Sequence, residues 1–297
     1  MLLSQLESTR TAPAGERVAM TAGVPTYTLR VQASRGFSPP DFRAVWEFRE
    51  LLYFLVWRDI SIRYKQTVIG AAWAVLQPLL TMLVFTVIFG NFARIPSDGL
   101  PYSIFAFSAL VPWTYFSQAI TRSGVSLVSD AQLVRKVYFP RVIIPLASAA
   151  APLMDFFVSF VVLAVMMAWY GVPLSWNLVG LPLCVVLLVM IAVAASLWLA
   201  PLNARYRDIG YAIPFVTQFW FYASPVTYPV NIVPQKWRAL YALNPMVGVI
   251  EGFRWALLGK AAPDFATTAV SVTVAVVALV TGMMFFRWSE RSLSDVL

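Results

Sequence analysis

Histidine is absent from the 297 residues, and cysteine occurs once, at Cys184. Those two absences exclude His/Cys metal centres, Ser-His and Cys-His catalysis, and disulfides within the chain. Charge is scarce as well: only 12% of residues carry it. Asp155 is the one carboxylate well inside a long apolar run, where an ionised acid costs about 2.5–3.5 kcal/mol on insertion scales. It reads either as a proton-relay or pore-facing group, or as an inward-facing acid hydrogen-bonded to a neighbouring helix. With no second acid beside it, general acid/base work is excluded. A phosphate loop is missing too. "GFRWALLGK", Gly252 to Lys260, places six residues between its glycines where the motif needs four, and Ala261 stands where Ser or Thr is required. The chain therefore has no ATP site of its own, and no catalytic residues or metal ligands are expected in it.

What is abundant is apolar surface. The chain is 60% hydrophobic, with a mean hydropathy of +0.72, far from the balance of a soluble domain. A spanning helix needs about 20 mostly apolar residues. Six stretches are read as spans, at residues 68–89, 102–120, 142–169, 178–200, 213–228 and 265–286, the fifth being the shortest and most proline-rich. Long apolar runs without alternation select helices over a barrel. The expected fold is an all-α membrane protein with six transmembrane helices per subunit. Residues 1–40, rich in Ser, Thr, Ala, Gly, Pro and Arg, read as a flexible cytoplasmic tail rather than a signal peptide.

Basic residues set the orientation. Arg58, Arg63 and Lys65, then Arg135, Lys136 and Arg141, then Arg205 and Arg207, and finally Arg287 and Arg291 fall on one side of the predicted spans. The other side carries far fewer, so both termini are expected in the cytoplasm. The net charge of +8 follows from this topology, and no nucleic-acid partner is called for. Residues 41–66 hold an uncharged core too short to cross, bracketed by charge and studded with Trp46, Tyr53, Trp57 and Tyr64. They read as an amphipathic helix in the membrane interface, with Trp57, Arg58, Asp59, Arg63, Tyr64 and Lys65 its defining residues. A plain surface anchor is the alternative.

Residues 230–263 are too polar to cross, yet 240–258 are too apolar for a plain loop. Pro245 at a helix start and a Glu251/Arg254 pair at i, i+3 suggest short helices dipping part-way into the outer leaflet. A surface helix is the alternative.

Several motifs are then familiar in order and spacing: "LLYFLVWRDISIRYKQTVIGAAWAVLQPLL", "FARIPSDGLPYSIFAFSALVPWTYF", "LVRKVYFPRVIIPLAS", "NARYRDIGYAIPF", "ALNPMVGVIEGFRWALLG" and "RWSERSLSDVL". From about residue 41 to 297 the chain resembles the ABC-2 type permeases that export O-antigen, capsular polysaccharide and teichoic acid. The resemblance implies a homodimer driven by two copies of a separate cytoplasmic ABC ATPase, which binds the ATP and Mg. It implies that residues 126–141 form a segment coupling to that ATPase, carried by Asp130, Gln132, Leu133, Arg135, Lys136, Tyr138 and Arg141, with Pro140 ending its helix. An ordinary positive-inside loop is the other reading. It also implies that 230–262 are re-entrant and gate the exit, with Asn244, Pro245, Glu251 and Arg254 the candidate residues. The substrate it implies is a lipid-linked glycan, with teichoic acid or another lipid-linked polymer as the alternative. An ion-coupled carrier would show internal repeats and paired intramembrane charges, and neither is present.

A glycan explains the aromatic stretch "TQFWFYASPVTYP". Sugar faces present polarised C–H groups, which a flat, electronegative ring attracts without fixing one hydroxyl pattern. Phe215, Phe219 and Tyr222 share a helical face; with Trp220, Tyr228, Trp113, Tyr115 and Phe116 they are the candidate substrate channel. The competing reading is packing between helices or an interfacial belt.

Overall fold

The computed structural model describes residues 42–65, 70–260 and 262–296. The expected tail and residues 66–69, which include the start of the first expected span, lie outside the described residues. All regular structure among the described residues is helical. A short α1 (Phe42–Glu47) leads into α2 (Arg49–Lys65). The first long apolar helix, α3 (Gly70–Phe85), runs on as a π-helical stretch, Thr86–Phe92. Then come α4 (Tyr102–Ser129), α5 (Ala131–Lys136), α6 (Ile143–Ala150) and α7 (Leu153–Trp169). Ala151 and Pro152 divide α6 from α7, because proline lacks the amide that would continue the ladder. The chain continues through α8 (Leu181–Arg205), α9 (Ile209–Tyr222), α10 (Gln235–Ala242), α11 (Pro245–Leu258) and α12 (Phe265–Val296).

Among the described residues, four stretches are both long enough and apolar enough to cross a membrane: 72–92, 143–169, 176–205 and 265–290. The other two expected spans differ from them for distinct reasons. At 28 residues and about 1.5 Å per residue, α4 is long enough, but it carries too many polar residues to read as lipid-facing. It is instead the centre of the bundle, packed on α3, α6, α7, α8, α9 and α11. Its serines are satisfied locally or across helices: Ser123 donates to Ser196 Oγ at 2.5 Å, and Ser126 to the Ser123 carbonyl at 2.6 Å. A helix that faces protein on all sides does not need a lipid-like composition. The expected fifth span, 213–228, is not one continuous helix. α9 has 14 residues and stops at Tyr222, about 21 Å of rise against a hydrocarbon core of about 30 Å.

The main core lies where Phe107, Leu110, Phe116 and Ile120 of α4 meet Leu188 and Ile191 of α8 and Val249, Ile250 and Phe253 of α11. Close approach of α11 depends on missing side chains. A Cβ on Gly248 would sit 2.6 Å from Ser271 Oγ of α12, and one on Gly252 would sit 2.8 Å from Cys184 Sγ of α8. A second core joins Leu55 of α2 to Ile143, Ile144 and Ala147 of α6 and to Leu197 and Ala200 of α8.

α2, the expected interface helix, departs from a one-sided amphipath. Leu55 is buried on one side, whereas Tyr53, Phe54, Trp57 and Ile62 are exposed. Apolar residues therefore surround α2 instead of forming one stripe, because one face packs on α6 while the polar residues of its second half are drawn into contacts of their own.

Candidate functional site

The aromatic stretch divides by face. Ile213, Thr217 and Phe221 of α9 are buried, spaced at i, i+4, i+8. Tyr211, Phe215, Phe219 and Tyr222 are exposed. The face expected to carry Phe215, Phe219 and Tyr222 is thus open in the single chain, with Phe219 at 69% exposure. The α4 rings are placed differently. Trp113, Tyr115 and Phe116 are buried inside the bundle and back the α9 rings without sharing their open face. Trp113 meets Phe221 edge-on at 5.4 Å, and Phe116 meets Trp220 at 5.0 Å. Tyr115 instead turns toward α7, against Phe156 at 5.9 Å.

Beyond Tyr222 the chain turns, and α4 and α11 pin that turn. Tyr102 donates to the Thr227 carbonyl at 2.6 Å. Arg254 is buried with its guanidinium 3.6 Å from the Phe105 ring centroid, and donates to the carbonyls of Val226 (3.0 Å) and Tyr228 (3.5 Å). The Glu251/Arg254 pair expected from spacing is therefore not what Arg254 makes. Loop carbonyls take the guanidinium because the turn presents them to its buried tip. Asn244 caps α11 by accepting from the Met246 amide at 3.1 Å, and Pro245 follows at the first helical position, as expected. The same side chain accepts from Trp220 Nε1 (2.9 Å) and donates to the Ala223 carbonyl (3.0 Å) and Ser224 Oγ (2.9 Å). Tyr241 of α10 donates to the Tyr228 hydroxyl at 3.1 Å. A cleft of about 450 Å³ opens here, lined by Phe219, Trp220, Trp237, Leu240, Tyr241 and Asn244 among others.

At the opposite end of α4 lies a knot of charge. Asp155, in the first turn of α7 and only 5% exposed, is bonded from α2 by the Tyr64 hydroxyl and the Arg63 guanidinium. Arg63 also donates to Gln118 Oε1 of α4 at 3.0 Å. Asp155 thus takes the second of its two expected readings, an inward-facing acid hydrogen-bonded to a neighbouring helix, here α2. Burial first, and the bond to Asp155 second, push the Tyr64 hydroxyl up to about 12. One and a half turns earlier on α2, Arg58 forks onto both oxygens of Asp130 (3.1 and 2.9 Å) and also reaches Asp59 at 2.9 Å. Those hydrogen bonds, Asp130 foremost, raise the Arg58 guanidinium above its ordinary value.

Asp130 opens the expected coupling segment. In α5 and just after it, Gln132, Arg135, Lys136, Val137 and Tyr138 are exposed, while Leu133 and Val134 turn inward and Phe139 is buried. α5 ends at Lys136, with Val137 already extended, so the helix stops before Pro140 and not at it. Arg141 is tied to α12, its amide to Glu290 Oε1 at 3.3 Å and its guanidinium to the Glu290 carbonyl at 3.1 Å. Lys65 is exposed at the end of α2.

Residues 50–258, well over half of the chain, match the ABC-2 type transporter family. The chain belongs to that family. Its similarity to the O-antigen export system permease protein RfbA of Myxococcus xanthus is 31% identity over 239 residues, covering 78% of this chain and 91% of that one. A protein of the same name from Klebsiella pneumoniae is 26% identical over 84% of this chain and 95% of its own length. The polysialic acid transport protein KpsM of Escherichia coli is 23% identical over 80% and 92%. The ABC-2 match takes in α5, α9, α11 and nearly all of α2, while Glu290, the partner of Arg141, lies beyond it. Sequence reasoning missed two members of this ABC-2 chain's charged knot, Gln118 and Arg122. The available signal was their i, i+4 spacing on one face of α4.

Proposed function

We propose that this chain is the membrane permease subunit of an ABC exporter that carries a lipid-linked polysaccharide, O-antigen or capsule-like, across the bacterial cytoplasmic membrane. The observation that carries the reading is family membership joined to similarity with O-antigen export permeases over 78% of this chain. The active unit is a homodimer bound to two ATPase subunits that hold ATP and Mg, with both termini in the cytoplasm. Each subunit crosses six times. α9 with the turn after it makes the fifth crossing, and α10 and α11 re-enter from the outside. The burial of α11 among α4, α8 and α12 supports this, since a surface loop would not be enclosed.

In this reading Phe215, Phe219 and Tyr222 line the glycan path, Trp220 and Tyr228 shape its outer end, and Trp113, Tyr115 and Phe116 hold the wall from behind. Weak ring–sugar contacts of similar strength let a polymer slide, whereas a charged clamp would arrest it. Asn244, Pro245, Glu251 and Arg254 belong to the outer gate, where Asn244 and Arg254 fix the turn that follows the aromatic helix. Gln132, Arg135, Lys136 and Tyr138 meet the ATPase, while Asp130, Leu133 and Arg141 fasten the coupling segment to the rest of the subunit. The interface helix, through Trp57, Arg58, Asp59, Arg63, Tyr64 and Lys65, joins that segment to the membrane. Deleting the gene from its host should remove the surface polysaccharide while lipid-linked glycan accumulates inside, measured by surface labelling and by extraction of the lipid-linked pool. Unchanged surface glycan in the deletion strain overturns the reading.

A further inference from the structure

No Asp, Glu, Lys or Arg occurs between Asp155 and Arg205, so the connection from α7 to α8 carries no charge at all. The two membrane-length stretches that it joins are bounded by tryptophan: 143–169 ends at Trp169, and 176–205 begins at Trp176. Trp169 is 85% exposed and Trp176 92%, and Leu174 and Val179 are exposed in the same turn. Along α7 the exposed side runs back from Trp169 through Val165, Val161 and Phe157 at four-residue steps, one face of a helix. Along α8 it runs on from Val179 through Leu183 and Val186. The turn thus caps two apolar stripes and is not an isolated patch.

The rest of the turn is built onto the bundle. Gly171 takes the left-handed conformation (φ +65°) that closes the end of α7, its amide donating to the Ala168 carbonyl at 3.2 Å. The Tyr170 hydroxyl accepts from Ser103 Oγ of α4 at 2.8 Å. Ser175 caps a short 3-10 helix, Trp176–Gly180, by accepting from the Asn177 amide at 3.2 Å. Asn177 Nδ2 in turn donates to the Trp255 carbonyl of α11 at 3.3 Å. A Cβ on Gly180 would run into the Trp255 ring, so glycine is what lets the indole lie against this backbone.

Indole is apolar over its faces and donates through a single N–H, so tryptophan concentrates where headgroups meet acyl chains. A docked protein would be oriented by complementary charge, and this turn has none to offer. Its rings stand instead at the bounds of two spanning stretches, where the lipid boundary falls whichever way the chain is inserted. We propose that Trp169, Leu174, Trp176 and Val179 anchor this turn in the headgroup–acyl boundary of one leaflet, and that Asn177 and Gly180 hold the Trp255 end of α11 at the depth so fixed. The anchor follows from the stretches that the turn joins and does not depend on the exporter reading. Only the consequence for an outer gate does.

The test is depth-dependent fluorescence quenching on the purified full-length protein carrying Cys184→Ser. Leu174→Cys is labelled with an NBD fluorophore in nanodiscs of phosphatidylcholine and phosphatidylglycerol, with nitroxides on the headgroup, high on the acyl chain or deep in it. The headgroup and high nitroxides should quench most, placing the label about 5–10 Å into the boundary, and aqueous iodide should quench little. Quenching by iodide alone overturns the anchor, because the turn then lies in water. Shielding from iodide and from every nitroxide overturns it too, because a second copy or another protein then covers the turn. Combining Trp169→Ser with Trp176→Ser should move the label outward and open it to iodide. An unchanged depth in that folded variant overturns the role of the rings. Should the variant fail to fold, the parental depth still decides whether lipid is the partner. The hold on α11 is read by hydrogen exchange in the same nanodiscs. Asn177→Ala, which leaves both rings in place, should lose protection around Trp255 and keep it in α4; unchanged protection around Trp255 overturns the hold. None of these results bears on the exporter reading, which depends on surface glycan in the deletion strain.

Discussion

Asp155 shows how much one side chain decides. A buried acid held by Arg63 and Tyr64 fastens α2 to α7. Removing one partner of such a pair leaves the other charge buried and uncompensated, which typically costs about 3–5 kcal/mol. Losing a hydrogen bond to a charged acceptor costs about 1.5–3 kcal/mol. Asp155→Ala, which removes both the ion pair and this bond, should therefore lower the unfolding midpoint of the detergent-solubilised protein more than Tyr64→Phe. Equal, small shifts would mean that the acid does not hold the helix. Arg254 teaches the same lesson in reverse. Its spacing pointed to Glu251, yet it donates to the carbonyls of Val226 and Tyr228, because a buried guanidinium bonds whatever acceptors the fold brings to it.

Among the elements, α9 divides most clearly into two faces. Its inner face packs through Ile213, Thr217 and Phe221, and its outer face offers Phe215, Phe219 and Tyr222 to whatever lies beside it. Exposed rings contribute little to the core of the single chain, so replacement by Leu should preserve folding. Contacts along a sliding track are weak and partly redundant. Single Leu variants at 215, 219 and 222 should then reduce export modestly, and the triple variant should reduce it steeply. The measurement is surface polymer per folded dimer. If dimer yield and thermal stability fall first and export follows only in proportion, the rings are packing residues. Trp220 belongs to a different category, since its indole donates to Asn244 and its loss would disturb the cap of α11.

For the whole molecule, the question is how ATP hydrolysed elsewhere moves a polymer here. Purified alone, the protein should hydrolyse no ATP above background; with its cognate ATPase it should form a 2:2 complex. Reversing Arg135 and Lys136 to Glu should weaken that complex or release hydrolysis from export. The structure suggests the route. Exposed residues of α5 adjoin Asp130, Asp130 is forked by Arg58, and the same helix reaches Asp155 through Arg63 and Tyr64. Normal complex recovery and normal export in the reversed variant, with cysteine accessibility confirming unchanged topology, would reduce this segment to a topology signal.

Composition and periodicity alone determined that the chain is helical, meets a membrane, lacks an ATP site and presents one face of aromatic rings. Each of these follows from local rules: run length, side-chain inventory and 3.6-residue spacing. Tertiary structure alone decided that α4 is the polar centre of the bundle, that α9 ends short of a full crossing, and that Trp113, Tyr115 and Phe116 lie behind the open face. It also brought Arg63, Tyr64, Gln118, Arg122 and Asp155 together from three helices. Hydropathy registers how apolar a helix is, but not whether lipid or protein surrounds it. A polar group separated from its partner by 91 positions, as Tyr64 is from Asp155, becomes legible only when helix packing brings the two together.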